Sequence, residues 1–165
     1  MNYTTLVANI QNFLEDDSTE LTASVDQIIG QAEDMIFQRL PNLPCFRQTT
    51  TANLVAGTTD YVVTGARMIR QVSIISSNVV SYLDHRVDSY LRDYWPNATT
   101  QDTPKFYSTK SASGTSGTLG GSGTTITIAP TPNAADTYQV DYIAPEMGIS
   151  SLNPNTWISN NAENV

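Results

Sequence analysis

The stretch from Pro41 to Phe46 separates two incompatible periodicities. Before it, Leu21, Val25, Ile28, Ile29, Ala32, Ile36 and Leu40 recur every three or four residues, the apolar stripe of a helix. After it come the short runs "FRQTTTANL", "YVV", "MIRQVSIIS", "KFYST", "TTITIAP" and "TYQVDYIAP". They are rich in Thr, Tyr, Val and Ile and are separated by Gly, Asn, Asp or Pro, the marks of strands and their turns. Helices and strands are thus segregated along the chain, which predicts an α+β fold.

The helical part has internal punctuation. Leu6, Ile10, Phe13 and Leu14 mark one face of a first helix, and "EDDSTE" interrupts the pattern before the longer stripe begins. Asp16, Asp17 and Glu20 stand where the positive end of the second helix dipole favours carboxylates, and Arg39 stands near its negative end. Pro41 and Pro44 stop it. The expectation is an antiparallel hairpin over 1–44 that buries Ile10, Phe13, Ile28, Ile29 and Ile36.

A β-rich domain is expected over 45–150. Its clearest alternation places Tyr138, Val140, Tyr142 and Ala144 on one side and Gln139 and Asp141 on the other. Val87, Tyr90, Leu91 and Tyr94 predict a short helix near 86–94, and "ASGTSGTLGGSG" predicts a flexible tip at 112–123. Residues 151–165 read as the start of a C-terminal helical segment. Asn160 and Glu163 have the spacing of a capping box. The helix so announced is expected to be incomplete or its remainder disordered, unless a neighbouring subunit supplies the element that covers the N-terminal hairpin.

Charge narrows the function. Residues 1–38 hold seven acids and no Lys or Arg, residues 39–110 hold all eight basic residues against five acids, and the net charge is −8. Such a chain lacks the basic stripe of a protein that grips phosphates. One Cys and one His cannot supply a zinc-ribbon ligand set, and no apolar run approaches the roughly 18 residues of a membrane span. "MNYTTLVANIQNFLEDD" has neither the basic start nor the apolar core of a signal peptide. A soluble protein without metal or cofactor is expected.

Candidate chemistry is thin. His85 with Asp84 and Ser89 invites a triad reading, but triads are assembled in space rather than by adjacency. The glycines from Gly114 to Gly123 precede a strand and lack the Lys-Ser/Thr of a phosphate loop. Asp16-Asp17 and Glu33-Asp34 are adjacent carboxylates, and neighbours on a helix point apart. Cys45, between Pro44 and Phe46, reads as a small buried filler. Tyr90, Tyr94, Trp95, Phe106 and Tyr107 would either stack on a sugar or fill the junction of the short helix with the sheet, and the second reading is preferred. No catalytic site emerges, and the expectation is a protein that is not an enzyme. The structural and interface candidates are Ile29, Ile36, Trp95, Tyr107 and Trp157.

The order of these pieces resembles the head-to-tail adaptor proteins of tailed bacteriophages. The resemblance rests on the acidic helical hairpin, Gly57 to Val63 leading into a strand, and Pro104 with Phe106-Tyr107. It rests also on the strand end Ile128-Ala129-Pro130, Tyr142 with Pro145, and the helix start in "WISNNAENV". It implies a helical bundle carrying an inserted, mostly antiparallel β-domain. It also implies a structural virion protein, assembled in the host cytoplasm, that forms a homo-oligomeric ring of twelve under the portal. The implied partners are the portal and a tail or nozzle protein, with DNA passing through the channel without sequence-specific binding. Another virion tail component, such as a tail-completion or tube protein, is the alternative within that class. A carbohydrate-binding β-module is the alternative outside it.

Overall fold

The computed structural model describes residues 1–112, 123–145 and 148–161. They form two compact units, one helical and built from Met1–Phe46 with the chain from Pro145 onward, the other β and built from Arg47–Ala144. The fold is α+β, and its sheets are mainly antiparallel.

In the helical unit, α1 (Tyr3–Leu14) and α2 (Thr19–Arg39) form a hairpin. Tyr3 Oη donates to Asp26 Oδ1 at 2.6 Å and Gln11 Nε2 to Thr22 Oγ1 at 3.3 Å, so rising numbers on one helix meet falling numbers on the other. Asn2 caps α1 through its side chain, and Ser18 Oγ caps α2 by accepting the Leu21 N–H at 3.2 Å. Glu15 closes α1 in the left-handed conformation, φ 52°. Its N–H reaches Asn12 O, and the Asp16 N–H reaches Gln11 O, the bond pair of a Schellman ending.

The core of this unit is Val25, Ile29 and Ile149, with Tyr3, Leu6, Val7 and Ile10 packed on it. Three expected core residues are not in it: Phe13 is 88% exposed, Ile28 46%, and Ile36 is only half-buried. Ile28 and Ile29 lie about 100° apart around the helix, and Ile29, one turn from Val25, takes the inward place. Phe13 falls in the last turn of α1, beside the polar link to α2 that offers no apolar surface. Cys45 is half-buried instead of buried, and its neighbour Phe46 is the filler, meeting Phe37 edge-on at 4.9 Å between centroids.

The β unit runs β1 (Arg47–Asn53), β2 (Asp60–Thr64), β3 (Met68–Ser76), β4 (Val79–Tyr82) and β5 (Asp84–His85). Then follow α3 (Asp88–Tyr94), β6 (Gln101–Asp102), β7 (Phe106–Ser111), β8 (Gly123–Ala129), β9 (Thr131–Pro132) and β10 (Thr137–Ile143). One sheet has the order β1-β10-β3-β4 and a second β2-β8-β7-β5, while β6 and β9 form a separate pair. β5 with β7 and β6 with β9 are parallel, and the other pairs are antiparallel. The two larger sheets share one core. Val72, Ile74 and Val140 come from the first, Val63, Ile126 and Ile128 from the second, and Tyr61 and Tyr138 meet across it at 5.1 Å. The expected alternation in β10 is present, with Tyr138, Val140, Tyr142 and Ala144 all buried.

Two local features differ from expectation. The short helix begins at Asp88, so Arg86 and Val87 precede it. A helix α4 (Trp157–Asn161) starts one turn before the expected cap. Its capping box is Thr156 with Ser159: the Thr156 N–H donates to Ser159 Oγ at 2.8 Å and the Ser159 N–H to Thr156 Oγ1 at 3.1 Å. Asn160 therefore sits inside the helix, and Glu163 lies outside the described residues. Most of the tip expected at 112–123 also lies outside them, between Ala112 and Gly123.

Candidate interaction surface

The residues that suggested catalysis are committed elsewhere. His85 is exposed and sets its ring against Tyr107 at 5.1 Å, while Asp84 faces Arg86 at 3.6 Å. Among the described residues there is no group of three His, Cys, Asp or Glu placed to hold a metal, and no helix long and apolar enough to cross a membrane. What the molecule does offer is surface.

On the helical unit, Ile29 is 5% exposed and belongs to the core. Ile36, two turns along α2, is half-buried and lines an apolar cavity of about 270 Å³ with Ile10, Ile28, Ile149 and Ile158. The segment after Gly148 closes one side of it. Its Ile149 N–H donates to Glu33 Oε1 at 3.0 Å, and Pro154 O accepts the Tyr3 N–H at 2.9 Å. Trp157, the first residue of α4, is 36% exposed. Phe13 and Leu14 on α1, Met35 on α2 and Leu40 at its C-terminal cap add further exposed apolar side chains.

On the β unit, α3 is anchored by Leu91, which is buried. Tyr90 and Tyr94 stack on each other at 5.9 Å and meet the Phe106 ring edge-on at 5.6 and 5.0 Å. Tyr90 and Tyr94 stay exposed at the rim of this junction, while Leu91 and Tyr107 are buried and Trp95 and Phe106 are half-buried. Arg86 lies 5.5 Å from the Tyr90 ring centre. Trp95 is half-buried and donates from Nε1 to Thr100 O at 2.9 Å. Tyr107 is 4% exposed, and burial pushes its phenol up from the ordinary value. It is a core residue.

Asp60 joins β2 to the neighbouring strands, accepting Lys110 Nζ at 2.7 Å and Thr127 Oγ1 at 2.6 Å. Burial alone would raise its carboxyl, but the two hydrogen bonds and the charges of Lys110 and Arg92 outweigh it, and the pKa is lowered. Exposed apolar groups also gather at the edge strand β4, where Val79, Val80 and Tyr82 are open.

Sequence reasoning missed a groove on the sheet formed by β1, β10 and β3. It has a volume of about 430 Å³ and is lined by Arg47, Gln48, Thr49, Arg70, Gln71, Asp141 and Tyr142. The only signal for it in the sequence was the local excess of basic residues between 39 and 110.

The family model described as SU10 adaptor protein matches residues 1–164. No curated protein matches the chain in sequence. With the match covering nearly all of it, this chain belongs to the SU10 adaptor protein family and is a phage adaptor-type protein, associated with the virion.

Proposed function

We propose that this adaptor joins head to tail: twelve copies form a ring under the portal, extend the DNA channel and seat a tail or nozzle protein. The observation that carries the reading is the family match over residues 1–164. Three features of the chain support it. The helical unit is built from both ends of the described chain with the β unit inserted between them, as the head-to-tail adaptors would have it. Exposed apolar side chains are spread over α1, α2 and β4, and burial of such surface drives association. The net charge of −8 suits a channel wall past which DNA slides without being held. The protein acts by binding and shape, not by catalysis.

Native mass spectrometry of the purified protein, alone and mixed with the portal of the same phage, tests this. The expected result is a species of twelve copies on the portal. A chain that never associates with portal would overturn the reading. Association with a tail tube instead would favour a tail component.

A further inference from the structure

We infer that the arginine groove on the β1-β10-β3 sheet receives the acidic α1–α2 turn of a second copy of this chain. This rests on the ring reading above and names the contact between ring neighbours.

The groove is made by strand pairing. Arg47 opposes Ile143 in β10, and Thr49 opposes Asp141. On the other side of β10, Asp141 pairs with Gln71 and Tyr142 with Ile69, which leaves Arg70 as the extra residue of β3. A bulge of this kind re-aims a side chain, and Arg70 lines the groove together with Gln71. Neither Arg47 nor Arg70 has an ion pair among the described residues. The one carboxylate of the groove, Asp141, already accepts Thr49 Oγ1 at 2.7 Å and Gln139 Nε2 at 3.4 Å. Two exposed guanidinium groups with glutamine amides beside them make a site for carboxylates, which arginine can bind through two parallel hydrogen bonds.

The same chain carries the complement. Glu15, Asp16, Asp17 and Glu20 fall within six residues, and no Lys or Arg precedes Arg39. The turn that presents them is already shaped. Glu15 and Asp16 return their N–H groups to α1, and Asp16 Oδ1 accepts the Ser18 N–H at 2.8 Å. A preformed turn loses little conformational freedom on docking. A ring joins one patch of each subunit to a different patch of the next, and these two patches are opposite in charge. DNA is the weaker occupant, because Asp141 faces the groove and the chain as a whole is acidic.

Two charge-reversed chains test the contact, Arg47→Glu with Arg70→Glu, and Asp17→Lys with Glu20→Lys. All four positions are exposed, and thermal melting of each chain checks that it folds; Gln at the same positions serves if a reversal does not. Assembly on portal is followed by sedimentation. Each reversed chain alone should assemble at least about tenfold less well than wild type. An equal mixture of the two, in which every acidic turn meets a basic groove and every basic turn an acidic one, should recover. Reversals without effect, or losses that mixing does not restore, overturn the inference. In the second case another partner occupies the groove, and DNA binding lost only by the groove variant would identify it as DNA. If wild type itself makes no ring, the adaptor reading fails. Association of the two reversed chains with each other in the absence of portal would still uphold the contact between copies.

Discussion

Single residues fix where the backbone of this protein may approach itself. A Cβ on Gly148 would stand 2.6 Å from Glu33 Oε2, the side chain that accepts the Ile149 N–H. Gly148→Ala should displace that carboxylate and cost about 1 kcal/mol, the worth of one such hydrogen bond. In a Glu33→Ala background the same change should cost almost nothing, and chemical denaturation of the single and double variants reads that non-additivity. Asp60 gives a pH-dependent counterpart. Its folded pKa is depressed, so its contribution is present above the unfolded value near ~4 and fades as pH falls through the lower folded value. The carboxylate is about half exposed, as is Lys110, so solvent screening keeps the effect small. Wild type should therefore lose slightly more stability than Asp60→Asn between pH 5 and pH 3, conditions chosen as about one unit either side of the unfolded pKa. Parallel pH profiles for the two proteins would refute this.

Elements were legible in the sequence where one period ran long enough. The α2 stripe and the β10 alternation each repeat several times, and the helix and the strand both form. Tyr138, Val140 and Tyr142 are buried in β10, but of the seven stripe residues only Val25 and Ile29 are buried in α2. What failed was the choice among adjacent apolar residues, since Ile28 and Ile29 satisfy the same stripe and only packing selects between them. Ile29→Asp should destabilise by more than about 3 kcal/mol, because a carboxylate would enter an apolar core. Ile28→Asp should stay within about 1 kcal/mol. Equal melting of the two variants would contradict the packing. β4 escaped notice because it is only four residues long and exposed on all of them. Its signal was the turn: Ser77 and Asn78 both have positive φ, and Ser76 pairs with Val79 around them, the geometry of a two-residue hairpin loop. Replacing Ser77-Asn78 by Asn-Gly should raise stability by up to about 1 kcal/mol, measured by denaturant midpoint. The arginine groove was illegible for a different reason, since it arises from a bulge between strands about 70 residues apart in the chain.

At the scale of the whole molecule, the sequence shows its sharp division of charge and its change of periodicity at Phe46. Family membership adds that the chain is a phage adaptor-type protein. The proposed assembly is a ring of twelve between portal and tail. Electron microscopy of the protein mixed with portal, at low and at high salt, tests it most directly. Twelvefold rings stacked on the portal are expected at both salt concentrations, formed more slowly at high salt because screening weakens the charge attraction that guides the subunits together. Portal rings left bare at both concentrations, with the protein remaining as free single subunits, would contradict it.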